Sequence, residues 1–168
     1  MKRPYTGNKD GAAAGEHPQL TALMNQLFKA YSPALWNNGS FGVRNMRGKE
    51  SLSVHATGRA ADISWRNMGD GKRGVAKGGR KYAMEAMDYL VQNADALGIE
   101  MIIDYFPAPH GRAAKCDRNM AWQKYTKATV SGAPNGDWFH VEVDGKKSSE
   151  EIKAVFVANP PAPVVLGA

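Results

Sequence analysis

From Pro18 onward, apolar residues return every three or four positions, at Leu20, Leu23, Met24, Leu27, Phe28 and Tyr31. That period predicts a helix with one core-facing stripe, stopped near Ser32-Pro33 because the residue before a proline disfavours helical backbone. His17, just ahead of it, is expected near the helix N-terminus rather than as a ligand. A second helix is predicted over residues 80–97, with Tyr82, Ala83, Ala86, Met87, Leu90, Val91, Ala94 and Leu97 on one face and Gly98 as its stop. Strands are predicted at 40–46, 58–65, 99–105 and 138–143. In the second of these Ala60, Asp62 and Ser64 share a face, and in the last Trp138, His140 and Glu142 do. Asn37-Asn38-Gly39 reads as a turn, 107–119 as loop, and Met120, Trp122 and Tyr125 as a short helical turn. Ser148 with Glu151 three residues later is a capping box that opens a terminal helix. The expected fold is α+β, a small and mainly antiparallel sheet holding the candidate ligands with helices packed around it, and it follows from the candidate site more than from this patterning.

At 168 residues the chain fits one domain. We assign it to residues 1–157, with 1–16 a glycine- and alanine-rich arm and 158–168 a proline-rich, linker-like tail to which a further module could be joined. No apolar run is long enough to cross a bilayer. The N-terminus lacks the hydrophobic segment of a secretory signal. Cys116 is the single cysteine, so an internal disulfide is excluded and any metal site must use nitrogen and oxygen ligands. The net charge of +6 favours an anionic partner or surroundings. The basic residues are scattered and no nucleic-acid module accompanies them, so nucleic acid is not the expected partner. Residues 69–74 match the dinucleotide fingerprint G-x-G-x-x-G, but Lys77-Gly78-Gly79 delays the helix that must begin inside it.

The chemistry concentrates in two stretches. Residues 53–62 read S-V-H-A-T-G-R-A-A-D and place His55 seven positions before Asp62; residues 137–140 read D-W-F-H. Two imidazoles and a carboxylate, His55, His140 and Asp62, can hold one zinc ion on three sides and leave a fourth position open. Such an ion keeps a net positive charge, which favours hydroxide formation and carbonyl polarisation. Asp137 is then the candidate general base, provided the chain makes a bulge or turn at Gly136-Asp137 to bring it to the face of His140. Arg44 is the candidate for stabilising an oxyanion. Two readings start from these residues: a zinc hydrolase, or a metal site that only stabilises a binding domain.

The pattern Ser53-x-His55-x-x-Gly58-x-Ala60-x-Asp62, with Asp137 three residues before His140, resembles the signature of the D-alanyl-D-alanine carboxypeptidase family of zinc peptidases. That family includes L-alanyl-D-glutamate endopeptidases of phage lysins, and the aspartate at 137 is similar to the lysin members. The resemblance implies a Hedgehog/D-Ala-D-Ala peptidase-like fold and one zinc per chain on His55, Asp62 and His140. It further implies Asp137 as base and Ser53 as a hydroxyl that either supports a ligand or contacts substrate; Trp138, between Asp137 and His140, is a further candidate substrate contact. The expected activity is hydrolysis of the peptidoglycan stem peptide by a monomeric lysin domain. Such a protein would be made in the host cytoplasm and act on the cell wall, with neither membrane nor nucleic acid as partner. D-alanyl-D-alanine carboxypeptidase activity is the alternative, and a non-catalytic zinc-stabilised binding domain the alternative of another class.

Overall fold

The computed structural model describes residues 2–46, 48–67 and 78–165. The glycine-rich stretch that carries the dinucleotide-like pattern lies outside the described residues. The architecture is α+β: a six-stranded, wholly antiparallel sheet with helices on one face. The strands are β1 (Trp36–Gly39), β2 (Ala60–Ser64), β3 (Ile99–Asp104), β4 (Arg112–Lys115), β5 (Trp122–Lys124) and β6 (Trp138–Val143), in the spatial order β1-β2-β6-β3-β4-β5. The helices are α1 (Pro18–Tyr31), α2 (Gly79–Gln92), α3 (Ala94–Leu97) and α4 (Ser149–Ala158).

Alternation along the central strands decides what each sheet face becomes. Ala61 and Ile63 of β2 and Phe139, Val141 and Val143 of β6 are buried in one cluster with Leu20, Leu23 and Leu27 of α1, Met87 and Leu90 of α2, and Ile152 of α4. Side chains of opposite parity (Asp62 on β2; Trp138, His140 and Glu142 on β6) face away from the helices and floor an open cleft. The helix ends follow their local chemistry. His17 caps α1, its Nδ1 accepting from the Gln19 amide at 3.2 Å. Ser148 and Glu151 form the reciprocal capping box of α4.

Several predicted elements differ. The strand expected at 40–46 is absent beyond a single bridge between Asn45 and Leu52, and Phe41 and Val43 are exposed rather than facing the core. The edge position is taken instead by β1, whose Asn37 and Gly39 pair with Ile63 and Asp62 where the composition signalled a turn. The long helix divides at Asn93 into α2 and α3, and Gly98 closes α3 in the left-handed conformation. The expected loop at 107–119 contains β4, and the expected helical turn near Trp122 is β5. β4, Arg-Ala-Ala-Lys, has little strand preference of its own, and its pairing onto β3, followed by that of β5 onto β4, sets their conformation. Toward the C-terminus, Val164 packs against the core and the Tyr82 hydroxyl donates to the Val165 carbonyl at 2.5 Å, so this part of the tail lies back on α2.

The arm at residues 2–16 contains neither helix nor strand, yet it is bound to the domain along its length. Arg3 pairs with Asp95 at 2.8 Å and Asp144 at 3.1 Å. The amide of Thr6 donates to Glu100 at 2.8 Å. Further on, the amides of Ala13 and His17 donate to the carbonyls of Ala56 and Gly58, both at 2.8 Å.

Candidate metal centre

His55 sits in a 3-10 turn, Val54–Thr57, immediately before β2. Ser53 caps that turn, its hydroxyl accepting from the His55 amide at 3.3 Å. Gly58 ends it with φ of 72°, a backbone conformation that costs a residue with a Cβ. The turn folds His55 back over Asp62, and the antiparallel ladder sets Asp62 directly opposite His140 on β6. Three residues from two distant stretches thereby offer one ligand atom each, all within 4.8 Å of one another. The Asp62 carboxylate lies between the two rings, Oδ1 at 3.0 Å from His140 Nδ1 and Oδ2 at 3.5 Å from His55 Nε2. The ring centroids are 4.9 Å apart.

Each imidazole uses its other nitrogen on a protein acceptor. His55 Nδ1 donates to the Ser40 carbonyl at 2.5 Å, and His140 Nε2 donates to Glu142 Oε1 at 3.0 Å. With those nitrogens engaged, His55 Nε2 and His140 Nδ1 are the ones aimed at Asp62, an arrangement that suits a metal ion. Both histidines are buried, while Asp62 keeps some contact with solvent. In the metal-free protein, burial opposes charge on His140, but its hydrogen bonds and charge interactions with Asp62 and Glu142 outweigh that and raise its pKa to about 10. Burial likewise opposes charge on Asp62, and hydrogen bonds from His140 and His55 hold its carboxyl well below the usual range. The donor set is a compact, preorganised one with an anionic centre, and the residues present fit a divalent cation.

The cleft above this cluster has a volume of about 1160 Å³. Arg44, Ser53 and Trp138 line it, as do Tyr5, Lys49, Tyr105 and a stretch from Ala128 to Ala133. Trp138 packs against Tyr105, ring centroids 5.2 Å apart. Burial, followed by the nearby Asp62 charge, raises the Tyr105 pKa and keeps that phenol neutral. Asp137 is placed differently from the rest. The β2–β6 ladder ends at Ser64 opposite Trp138, and the chain bends at Asp137 just before it; the Asp137 carbonyl accepts from the Trp65 amide at 3.2 Å and the Ser64 hydroxyl at 2.9 Å. Its carboxylate pairs with Arg66 at 3.3 Å and is not part of the cleft wall. Sequence reasoning assigned no role to Glu142 or Tyr5. The signal for Glu142 was present, two residues beyond His140 on the same strand face; for Tyr5, in an irregular arm, there was none.

A wholly antiparallel α+β domain with a His-Asp-His cluster at the floor of an open cleft defines a class of domain able to hold a metal ion. Residues 12–105 match the family model described as the VldE C-terminal domain, and the chain belongs to that family. The matched span includes His55 and Asp62 and ends before His140. Neither the curated proteins nor the solved structures contain a match.

Proposed function

We propose that the domain is a zinc-dependent peptidase that hydrolyses a peptide bond in the stem peptide of peptidoglycan, acting as the lytic domain of a phage protein. The single observation that carries this reading is the convergence of His55, Asp62 and His140 at the floor of an accessible cleft. Their likeness in spacing to the zinc peptidase signature supplies the substrate class. The bond between L-alanine and D-glutamate is the favoured target and the terminal D-alanyl-D-alanine bond the second.

His55 Nε2, Asp62 and His140 Nδ1 would hold the ion. When bound, zinc would supply Lewis acidity toward a peptide carbonyl and toward water. The chain's own residues divide the remaining work. Trp138 and Tyr105 form an apolar wall against which a peptide can lie. Arg44, exposed at the rim, offers positive charge to a substrate carboxylate or a developing oxyanion. Asp137 is the proposed general base, which requires its carboxylate to exchange Arg66 for the attacking water.

The pairing of Asp137 with Arg66 favours a second reading, a metal-stabilised binding domain without turnover. Digestion of purified wall fragments, with the released ends identified by mass spectrometry, separates the two. Hydrolysis by the zinc-loaded chain, lost in Asp137→Asn while zinc content stays at one per chain, supports the peptidase. Undiminished hydrolysis in Asp137→Asn removes that residue as base, and no cleavage by the zinc-loaded chain favours the binding domain.

A further inference from the structure

We propose that the N-terminal arm is a working part of the metal centre, with Tyr5 a positioning residue that orients His140 through Glu142. This rests on the metal centre of the proposed function and adds to it a component from outside the sheet.

The connection is continuous. The Tyr5 hydroxyl donates to Glu142 Oε2 at 2.7 Å, and the other oxygen of the same carboxylate accepts from His140 Nε2 at 3.0 Å. His140 Nδ1 then faces Asp62. A carboxylate that orients a metal-binding imidazole acts well only if its own rotation is restrained. Glu142 is buried, and Tyr5 is the partner that holds its second oxygen. Tyr5 is in turn fixed from several sides. The ammonium of Lys115 sits 3.7 Å from its ring centroid. Two residues upstream, Arg3 is tied to Asp144 at 3.1 Å.

The same arm also braces the other histidine. Asn8 Nδ2 donates to the Leu52 carbonyl at 2.5 Å, and the Ala13 amide donates to the Ala56 carbonyl, the residue after His55. One irregular segment therefore touches the supports of two ligands that reach the site from different elements, the 3-10 turn of His55 and strand β6 of His140. Tyr5 lies before the span matched by the family model, which begins at residue 12, so this brace is not part of the matched region.

The test is zinc affinity of the full chain, measured by competition with a chromophoric chelator. Removing an outer partner of a ligand typically weakens metal binding about 10–100-fold. Glu142→Gln is expected in that range and Tyr5→Phe at about its lower end. Because Tyr5 acts through Glu142, the double variant should bind zinc no more weakly than Glu142→Gln alone. Thr6→Val removes a hydroxyl contact of the arm with Glu100, not with Glu142, and should leave affinity within about twofold. Tyr5→Phe keeps the ring beneath Lys115, and Glu142→Gln reads the same link without altering the arm. Unchanged affinity in Tyr5→Phe, or an equal loss in Thr6→Val, overturns the positioning role and leaves the peptidase reading standing. Failure of the unsubstituted chain to bind zinc overturns both.

Discussion

Adding zinc to the metal-free domain should raise its melting temperature, by an amount that follows from where the ligands lie. Asp62 and His140 are 78 residues apart and meet only through the β2–β6 ladder, so the three-ligand set exists in the folded chain and not in the unfolded one. An ion that binds only the folded state contributes RT ln(1 + [L]/Kd), about 2.7 kcal/mol at a hundredfold excess over Kd. For a chain of 168 residues each kcal/mol shifts the transition by about 2–4 °C. The expected rise is therefore about 5–11 °C, with about 1.4 kcal/mol more for each further tenfold in free zinc. Calorimetric melts of chelator-treated protein against a zinc series measure it. Asp62→Asn removes the anionic ligand between the two rings, and His140→Ala removes a ring; both should flatten the zinc dependence and lower metal content. A transition indifferent to zinc, or a shift of full size in both variants, would refute the assignment of these three residues as a metal centre.

Other outcomes follow from particular contacts. At Gly58 a Cβ would lie 2.3 Å from the Gly15 carbonyl oxygen on backbone at φ of 72°. Gly58→Ala should destabilise the domain by about 1–3 kcal/mol from backbone strain alone and displace the arm, seen as earlier proteolysis before residue 17 and a lower melting temperature. The Tyr89 hydroxyl is buried without a hydrogen-bond partner among the described residues. Tyr89→Phe should therefore gain stability, by up to about 1–3 kcal/mol, in a denaturant titration. Stability of the metal-free protein should also depend on pH. His140, shifted upward to about 10 against the opposing effect of burial by its bonds to Asp62 and Glu142, holds its proton more tightly folded than unfolded. Its contribution is complete below the unfolded pKa of about 6.5 and is lost as pH rises through about 10. The melting temperature should fall between pH 7 and 10 in a chelator-treated sample, and His140→Gln should remove that part of the slope.

Whatever depends on local periodicity was legible in the chain alone. The apolar stripe from Leu20 to Tyr31 gave α1, the alternation from Trp138 to Val143 gave β6, and Ser148 with Glu151 gave the start of α4. The three candidate ligands, His55, Asp62 and His140, were readable through the resemblance of their motifs to a zinc peptidase signature, and the α+β class followed from that site more than from the pattern. The helical stripe, the strand alternation and the capping box rest on contacts between residues only a few positions apart, whereas Asp62 and His140 meet across 78 positions. Partners distant along the chain decided the rest. β1 uses Asn37 and Gly39 against their intrinsic preference because Ile63 and Asp62 offer a ladder, and β4 and β5 form because β3 exposes an edge. Asp137 stands three residues before His140 in sequence, but it lies at a bend just ahead of β6, where its carboxylate meets the Arg66 guanidinium from a distant stretch. The reach of Tyr5 to Glu142 spans 137 positions through a segment with no repeating pattern. Short-range geometry is written in residue order, whereas docking of an irregular arm is settled only when burial and hydrogen bonding are satisfied together in three dimensions.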